Sequence, residues 1–139
     1  MTDIFIDTDV IIDFLIDREP HSREAAIIFT LIEQKKLKGF VSSLTFSNLY
    51  YVLRKIESHN KVIAKLDSIS RLLTILKVDQ QTIRYAISSG FADFEDSIQY
   101  YCAHDFRKID VIITRNIKDY KGSEIPVMTP AEYLKMVSS

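Results

Sequence analysis

The stretch DIFIDTDVIIDFL, residues 3–15, joins an alternating segment to an apolar one. Residues 3–7 alternate polar side chains with β-branched or aromatic ones, which predicts a short strand. A helix is predicted to follow, ending at Leu15. Asp7 therefore falls at the carboxyl end of a strand, where the charge of a buried carboxylate is costly without a partner. Asp9 lies two residues further on and is the better candidate for capping the helix.

The same order of strand and helix continues outward from this stretch. Gly39 is predicted to end the second helix, and Ser43 to cap the third. The alternation predicts a three-layer α/β/α fold with a central, mostly parallel sheet, formed by residues 1–139 as one domain. Functional groups are expected beyond the carboxyl ends of the strands. Further strands are predicted at 40–42, 74–78, 111–114 and 126–128, and further helices at 22–37, 45–56, 60–73, 80–88, 93–106 and 130–136.

Composition narrows the class of protein. Of the 139 residues, 47% are hydrophobic and the net charge is −1, which argues against a protein that coats nucleic acid through a broad basic surface. The single cysteine, Cys102, has no disulfide partner within the chain and favours a reducing compartment. Residues 1–9 lack the basic segment of a signal peptide, and the apolar run 10–16 is too short to span a membrane. These features predict a cytoplasmic protein without a membrane partner.

Acidic and amide side chains recur where strands end or helices begin. Asp93, Glu95 and Asp96 fall in one predicted first helical turn, where the helix dipole also favours acids and Asp93 is a plausible N-cap. Asn48 lies about one turn inside another helix. The segment Thr114-Arg115-Asn116 follows the most apolar strand, although a simple turn explains it equally well.

Together these positions predict a divalent metal site. Oxygen-only ligands suit Mg²⁺ or Mn²⁺, which commonly use one or two carboxylates, water and phosphate oxygens. A metal so bound polarises a phosphoryl oxygen and activates water, which is the chemistry of phosphodiester hydrolysis.

The quoted segments resemble the motifs of the PIN-domain ribonucleases. Residues 5–10, FIDTDV, are similar to the first motif, an acid followed by Thr at the end of strand one. Residues 93–100, DFEDSIQY, resemble the motif with the third acid, placed at Asp96, and residues 113–116, ITRN, resemble the Thr-x-Asp motif. The sequence departs from the pattern at two positions, where Asn48 and Asn116 replace the usual second and fourth acids.

The resemblance implies a PIN-like fold and an Mg²⁺- or Mn²⁺-dependent endoribonuclease, the VapC-like toxin of a toxin–antitoxin pair. It implies an RNA substrate, a small antitoxin partner and a homodimer. Asp7 and Asp96 would bind the metal, and Glu95 would serve as a further catalytic acid. Arg115 would neutralise phosphate charge, unless it is a surface residue in a turn. The remaining residues, which would orient water or substrate or stand around the metal ligands, are Thr8, Asn48, Asp93, Thr114 and Asn116.

Two other interpretations remain open. A phosphotransferase would use Asp7 as nucleophile and Asp9 as acid–base, but such enzymes normally continue with Gly-Thr, where this chain has Val10-Ile11. A degenerate PIN domain that only binds RNA or protein would explain Asn48 and Asn116.

Overall fold

The computed structural model describes residues 2–138 and contains one five-stranded parallel sheet. The strands are β1 (Thr2–Ile6), β2 (Leu37–Ser42), β3 (Thr74–Leu76), β4 (Val111–Ile113) and β5 (Val127–Met128), in the spatial order β3-β2-β1-β4-β5. The helices are α1 (Thr8–Leu15), α2 (Ser22–Glu33), α3 (Ser43–Leu53), α4 (His59–Leu72), α5 (Gln80–Ile87), α6 (Phe94–Phe106) and α7 (Pro130–Val137), with a 3-10 helix at Ile117–Tyr120.

Helices cover both faces of the sheet, because alternate side chains of each central strand enter different cores. In β1, Ile4 and Ile6 pack into one hydrophobic cluster with α1, α2 and α3, whereas Phe5 packs into a second cluster with α6. In β4, Ile113 joins the first cluster and Ile112 the second. This two-sided burial confirms the predicted three-layer α/β/α fold with a parallel sheet.

The predicted boundary around Gly39 is wrong. Helix α2 ends at Glu33, and Lys35 follows in the left-handed region at φ 61°. Gly39 lies inside β2, where an added Cβ would come within 2.6 Å of Leu73 Cδ2 and 2.8 Å of Ile32 Cδ1. The glycine therefore permits close packing of helices against the strand instead of ending a helix.

The cap of α3 also differs from its prediction by one residue. Ser42, not Ser43, is the N-cap, and its Oγ accepts a hydrogen bond of 3.1 Å from Leu44 N. The 3-10 helix after β4 was not predicted. It brings Tyr120 into the interior beside the carboxyl end of β1.

No helix within residues 2–138 is long and apolar enough to cross a membrane.

Candidate active site at the carboxyl end of the sheet

Asp7 lies directly after the central strand β1 and is 4% exposed. Its Oδ2 accepts hydrogen bonds from Thr114 Oγ1 at 2.7 Å and from the Tyr120 hydroxyl at 3.2 Å. Its Oδ1 accepts hydrogen bonds from Gln99 Nε2 at 3.2 Å and from Asp9 N at 3.3 Å. Asp7, rather than Asp9, is thus the N-cap of α1. Burial raises the pKa of Asp7, the hydrogen bond from Thr114 opposes that rise, and the nearby charge of Asp9 adds to it.

Gln99 connects Asp7 to α1 and to the 3-10 helix, and through Thr8 to α3. Its Oε1 accepts hydrogen bonds from Thr8 N at 3.0 Å and Thr8 Oγ1 at 2.9 Å, and its Nε2 also donates to the Tyr120 hydroxyl at 3.1 Å. Thr8 Oγ1 in turn lies 3.1 Å from Thr45 Oγ1 of α3. Because Gln99 is only 5% exposed and both ends of its amide are engaged, its orientation is fixed. The network therefore holds the Asp7 carboxylate in one position.

Asp96 is the second carboxylate of this site, in the first turn of α6. Asp93 caps the helix, as predicted, by accepting a hydrogen bond of 2.9 Å from Asp96 N. Asp96 is partly buried, and within residues 2–138 its carboxylate has neither a hydrogen bond nor an ion pair. Burial, followed by the charges of Asp7 and Asp93 and then of Asp119 and Asp9, raises its pKa to about 8. The two carboxylates thus share a site where the charge of Asp7 hinders the ionisation of Asp96.

In the segment after β4, Thr114 contacts the carboxylate of Asp7, whereas the side chain of Asn116 does not. Thr114 is 1% exposed and donates to Asp7, and its Oγ1 also accepts a hydrogen bond of 3.2 Å from Asn116 N. The Asn116 side chain is exposed, and its Nδ2 donates to Asp119 Oδ1 at 3.2 Å. Asp119 is thereby held beside Asn116, and its negative charge contributes to the raised pKa of Asp96.

Asn48 and Glu95 both line a second cavity, which is separate from the carboxylate pair. They line a space of about 220 Å³ together with Thr45 and Gln99. Asp96 instead lines a larger cleft on the other side of the first turn of α6. Glu95 therefore lines the same cavity as Asn48, and the two neighbouring acids of α6, Glu95 and Asp96, line different cavities.

Arg115 lies away from this carboxylate pair. Its Nε is 2.7 Å from Oδ2 of Asp13, a carboxylate of α1 that is 1% exposed, and Arg18 Nε is 3.1 Å from Oδ1 of the same residue. This position does not support the expectation that Arg115 neutralises phosphate charge. It also does not support the alternative that Arg115 is an unpaired surface residue in a turn. Arg115 instead compensates a buried charge.

Two features of the site fit a divalent cation bound by Asp7 and Asp96. The two carboxylates supply only part of its ligands. All the ligand atoms are oxygens, which suits Mg²⁺ or Mn²⁺, and two carboxylates are a common protein contribution for these ions. Within residues 2–138 no group of three or more His, Cys, Asp or Glu side chains is placed to hold a metal ion. The fit therefore rests on the pair, with water or substrate supplying the other ligands.

Comparison with known proteins places this fold in a family. Residues 3–118 match the sequence profile of the PIN domain. The chain belongs to the PIN-domain family. The resemblance seen in the sequence motifs is thereby confirmed over most of the chain.

Relatives of the PIN-domain chain include toxin-type proteins. The chain is 25% identical to Ribonuclease VapC1 of Aquifex aeolicus over 135 residues. This alignment covers 94% of the chain and 92% of the relative. VapBC2 from Rickettsia felis, solved bound to a promoter DNA fragment, superimposes with a TM-score of 0.69 at 16% identity, covering 92% and 98% of the two chains. VapC20 of Mycobacterium tuberculosis, described as a sarcin-ricin loop cleaving toxin, gives a TM-score of 0.66 at 13% identity and covers 84% and 92%.

Three residues of the network were not predicted from the sequence: Gln99, Tyr120 and Thr45. Gln99 had a usable signal, since it is three residues after Asp96 in a helix and a polar side chain there interrupts an apolar face. Tyr120 had none, because the 3-10 helix that turns it inward was not predicted.

Proposed function

We propose that this protein is an Mg²⁺- or Mn²⁺-dependent endoribonuclease. The observation that carries the proposal is the Asp7–Asp96 pair: burial raises the pKa of both carboxylates, the charge of Asp7 adds to the rise at Asp96, and within residues 2–138 neither forms an ion pair with Lys, Arg or His. Such a pair binds a cation favourably, because the cation removes the repulsion. Membership of the PIN-domain family and the ribonuclease relative support RNA as the substrate.

Asp7 and Asp96 would hold the metal, which when bound polarises a phosphoryl oxygen and lowers the pKa of attacking water. The surrounding residues keep the two carboxylates in place. Thr114, Tyr120 and Gln99 orient Asp7, and Asp93 caps α6 so that Asp96 stays in its first turn. Partners of this kind commonly affect metal affinity or activity by about 10- to 100-fold.

The two amide positions have different acids close by. Glu95 lines the same cavity as Asn48, and Asp119 accepts a hydrogen bond from Asn116. We infer that Glu95 and Asp119 supply the negative charge that the two asparagines lack. Thr8 is engaged with Gln99 and Thr45, so its contribution is to fix Gln99 rather than to bind a phosphate.

The relatives also support a role as the toxin of a toxin–antitoxin pair. VapBC2 of Rickettsia felis has been solved bound to promoter DNA, and a Klebsiella pneumoniae toxin–antitoxin complex has the same fold, with a TM-score of 0.67. By analogy, this chain would bind an antitoxin. We further propose that it acts in the cytoplasm and as a homodimer.

A second function, RNA or protein binding without strong cleavage, is favoured by Asn48, Asn116 and the four hydrogen bonds already made to Asp7. Those bonds occupy the acceptor capacity of the carboxylate, so a cation must displace one of them. Three of the four, from Tyr120, Gln99 and Asp9, are long, at 3.2 to 3.3 Å.

The test is cleavage of a pool of structured and single-stranded RNA with Mg²⁺, Mn²⁺ or EDTA. We expect metal-dependent cutting by the wild type and a loss of more than about 100-fold in Asp7→Asn and in Asp96→Asn, beyond the effect of removing an outer partner. Asp67→Asn, an exposed carboxylate of α4, is the matched control and should cut normally. Folded protein that cuts the RNA under none of these metal conditions would favour the binding function.

A further inference from the structure

The chain that leaves β4 is attached to helix α1 at two places. Thr114, the first residue after the strand, donates a hydrogen bond of 2.7 Å to Oδ2 of Asp7, the N-cap of α1. The next residue, Arg115, has its Nε 2.7 Å from Oδ2 of Asp13, which lies further along the same helix. The six residues from Asp7 to Asp13 correspond to about 9 Å of helix. The start of α1 therefore belongs to the proposed catalytic site, and its second half holds the segment that supplies Thr114.

Arg115 is not needed to neutralise Asp13. Arg18 already pairs with this carboxylate, with Nε 3.1 Å from Oδ1, so one arginine balances the buried charge. Burial raises the pKa of Asp13, and the positive charges of both arginines and of His21 oppose that rise. A buried ion pair is weak evidence for stability, because desolvation offsets the attraction, and its best-attested use is to fix the register of neighbouring elements. The second arginine is therefore better explained by orientation than by charge balance.

Arg115 lies where the chain turns away from the sheet. Before it, Thr114 N donates to Met128 O at 3.0 Å, beside the end of strand β5. After it, Asn116 N donates to Thr114 Oγ1 at 3.2 Å. The 3-10 helix that returns Tyr120 to Asp7 begins directly afterwards. The ion pair of Arg115 is thus placed to set the direction in which the chain leaves β4.

The direction of the Thr114 hydroxyl depends on this exit. A threonine hydroxyl has one hydrogen to donate and two lone pairs that accept. Because Asn116 N donates to Thr114 Oγ1, the single hydrogen of the hydroxyl is left for Oδ2 of Asp7. This 2.7 Å bond is the shortest of the four that the Asp7 carboxylate accepts. A shift of Asn116 would release the constraint that directs the hydroxyl to Asp7.

We propose that Arg115 is a positioning residue of the active site. Its ion pair with Asp13 fixes the exit of β4, so that Thr114 holds the Asp7 carboxylate in the orientation that receives the cation. The inference rests on the proposed function for the identity of that cation. The orientation of Asp7 itself can be measured in metal-free protein, with neither RNA nor a metal present.

Arg18 provides the matched control, because it pairs with the same carboxylate but lies outside the segment after β4. Arg115→Met and Arg18→Met each remove one cation and retain a long apolar side chain. They are compared with Thr114→Val and with the double variant Thr114→Val/Arg115→Met. The first reporter is the side-chain amide of Gln99 in proton–nitrogen correlation spectra of metal-free protein, since its Nε2 donates to Asp7 Oδ1. The second is Mg²⁺ affinity, measured by calorimetric titration.

We expect Arg115→Met to shift the Gln99 amide signal in the same direction as Thr114→Val does. It should also weaken Mg²⁺ binding by about tenfold, the lower end for losing a residue that orients a metal ligand. Arg18→Met should leave both readouts as in the wild type. The double variant should bind Mg²⁺ no more weakly than Thr114→Val alone, because two residues that act through one bond are not additive.

Thermal unfolding verifies that each variant is folded. Arg115→Lys against Arg18→Lys repeats the comparison with the charge retained. Lysine lacks the planar fork of arginine, so Arg115→Lys should still shift the Gln99 amide further than Arg18→Lys does.

Two results would overturn the proposal. Equal effects of the Arg115 and Arg18 variants on the Gln99 amide would leave charge balance as the only role of Arg115. Losses of Mg²⁺ affinity that add in the double variant would mean that Arg115 does not act through Thr114. Failure of the nuclease proposal looks different: if the folded wild type binds no metal, the Gln99 amide still decides whether Arg115 orients Asp7.

Discussion

Asp7 and Asp13 are two buried aspartates, one at each end of the first helical segment, and their charges are compensated in different ways. Asp13, 1% exposed, faces the guanidinium groups of Arg18 and Arg115. Asp7, 4% exposed, receives only neutral donors and has Asp96 as a charged neighbour. Burial raises the pKa of both, but arginine charges oppose the rise at Asp13, whereas Asp9 adds to it at Asp7.

From this difference we infer that Asp13 has a structural role and that Asp7 has a functional one. A buried acid with its own cations is complete within the fold. A buried acid that is oriented by hydrogen bonds, placed beside another acid and left without a cation is complete only when a cation arrives from solution. In this protein the first description fits Asp13 and the second fits the Asp7–Asp96 pair.

The largest expected effect on stability comes from breaking the Asp13 cluster. Asp13→Asn should lower the free energy of unfolding by about 3 kcal/mol, the lower end for removing one partner of a buried pair, because Arg18 and Arg115 still reach solvent. Urea denaturation measures the loss. Asp67→Asn, which removes the exposed pair with Arg71, should cost under about 0.5 kcal/mol. A loss as small for Asp13→Asn would contradict the structural role of this cluster.

A smaller loss is expected when Asp7 loses a neutral donor. Thr114→Val preserves the shape of the side chain but removes the 2.7 Å hydrogen bond, and should cost about 1–3 kcal/mol because a buried acceptor is left unsatisfied. Thr114→Ser retains a hydroxyl and should recover most of the loss in the same denaturation experiment. Equal stability of the valine and serine variants would show that the bond does not hold Asp7.

The pH dependence of stability should separate the two regions further. In the folded protein the pKa of Asp96 is raised from 3.8 to about 8, so between these values the folded state binds more protons than the unfolded state. Stability of the metal-free protein should therefore fall as pH rises from about 4 to about 8. Asp7 has a raised pKa as well and acts in the same direction.

Urea midpoints in EDTA across this pH range measure the slope. Asp96→Asn should flatten it, and saturating Mg²⁺ should flatten it in the wild type because the cation replaces the protons. A slope unchanged in Asp96→Asn would mean that another group is responsible.

The smallest effect is expected from restoring the missing acids. Asn48→Asp with Asn116→Asp should tighten Mg²⁺ binding by about tenfold, a gain of roughly 1.4 kcal/mol, since each adds negative charge near the pair but also repels the acids already present. Asn60→Asp, on the exposed start of α4, is the control. Calorimetric titration measures the change. No change in affinity would mean that Asn48 and Asn116 do not face the metal.

The sequence predicted the parts of this site that lie at strand ends. Asp7 and Thr114 were identifiable because each follows a short apolar strand, and parallel strands bring their carboxyl ends to one edge. Asp96 required the additional motif resemblance, because a first-turn acid is equally well explained by the helix dipole.

The compensation pattern could not be predicted. Asp13 and Arg115 are about a hundred positions apart, and only the packing of α1 against the turn after β4 brings them together. Gln99 is a polar residue on an otherwise apolar helix face, and nothing local shows that both ends of its amide are used. Likewise, Glu95 and Asp96 are adjacent in sequence, and only the helix geometry sends them to different cavities.

The central claim is that the Asp7–Asp96 pair takes its missing cation from solution, and calorimetric titration with Mg²⁺ or Mn²⁺ tests it most directly. The wild type and Asp13→Asn should each bind the ion, whereas Asp7→Asn and Asp96→Asn should lose that binding while remaining folded. Binding that persists in both of the latter variants, or that is absent from the folded wild type, would contradict the account.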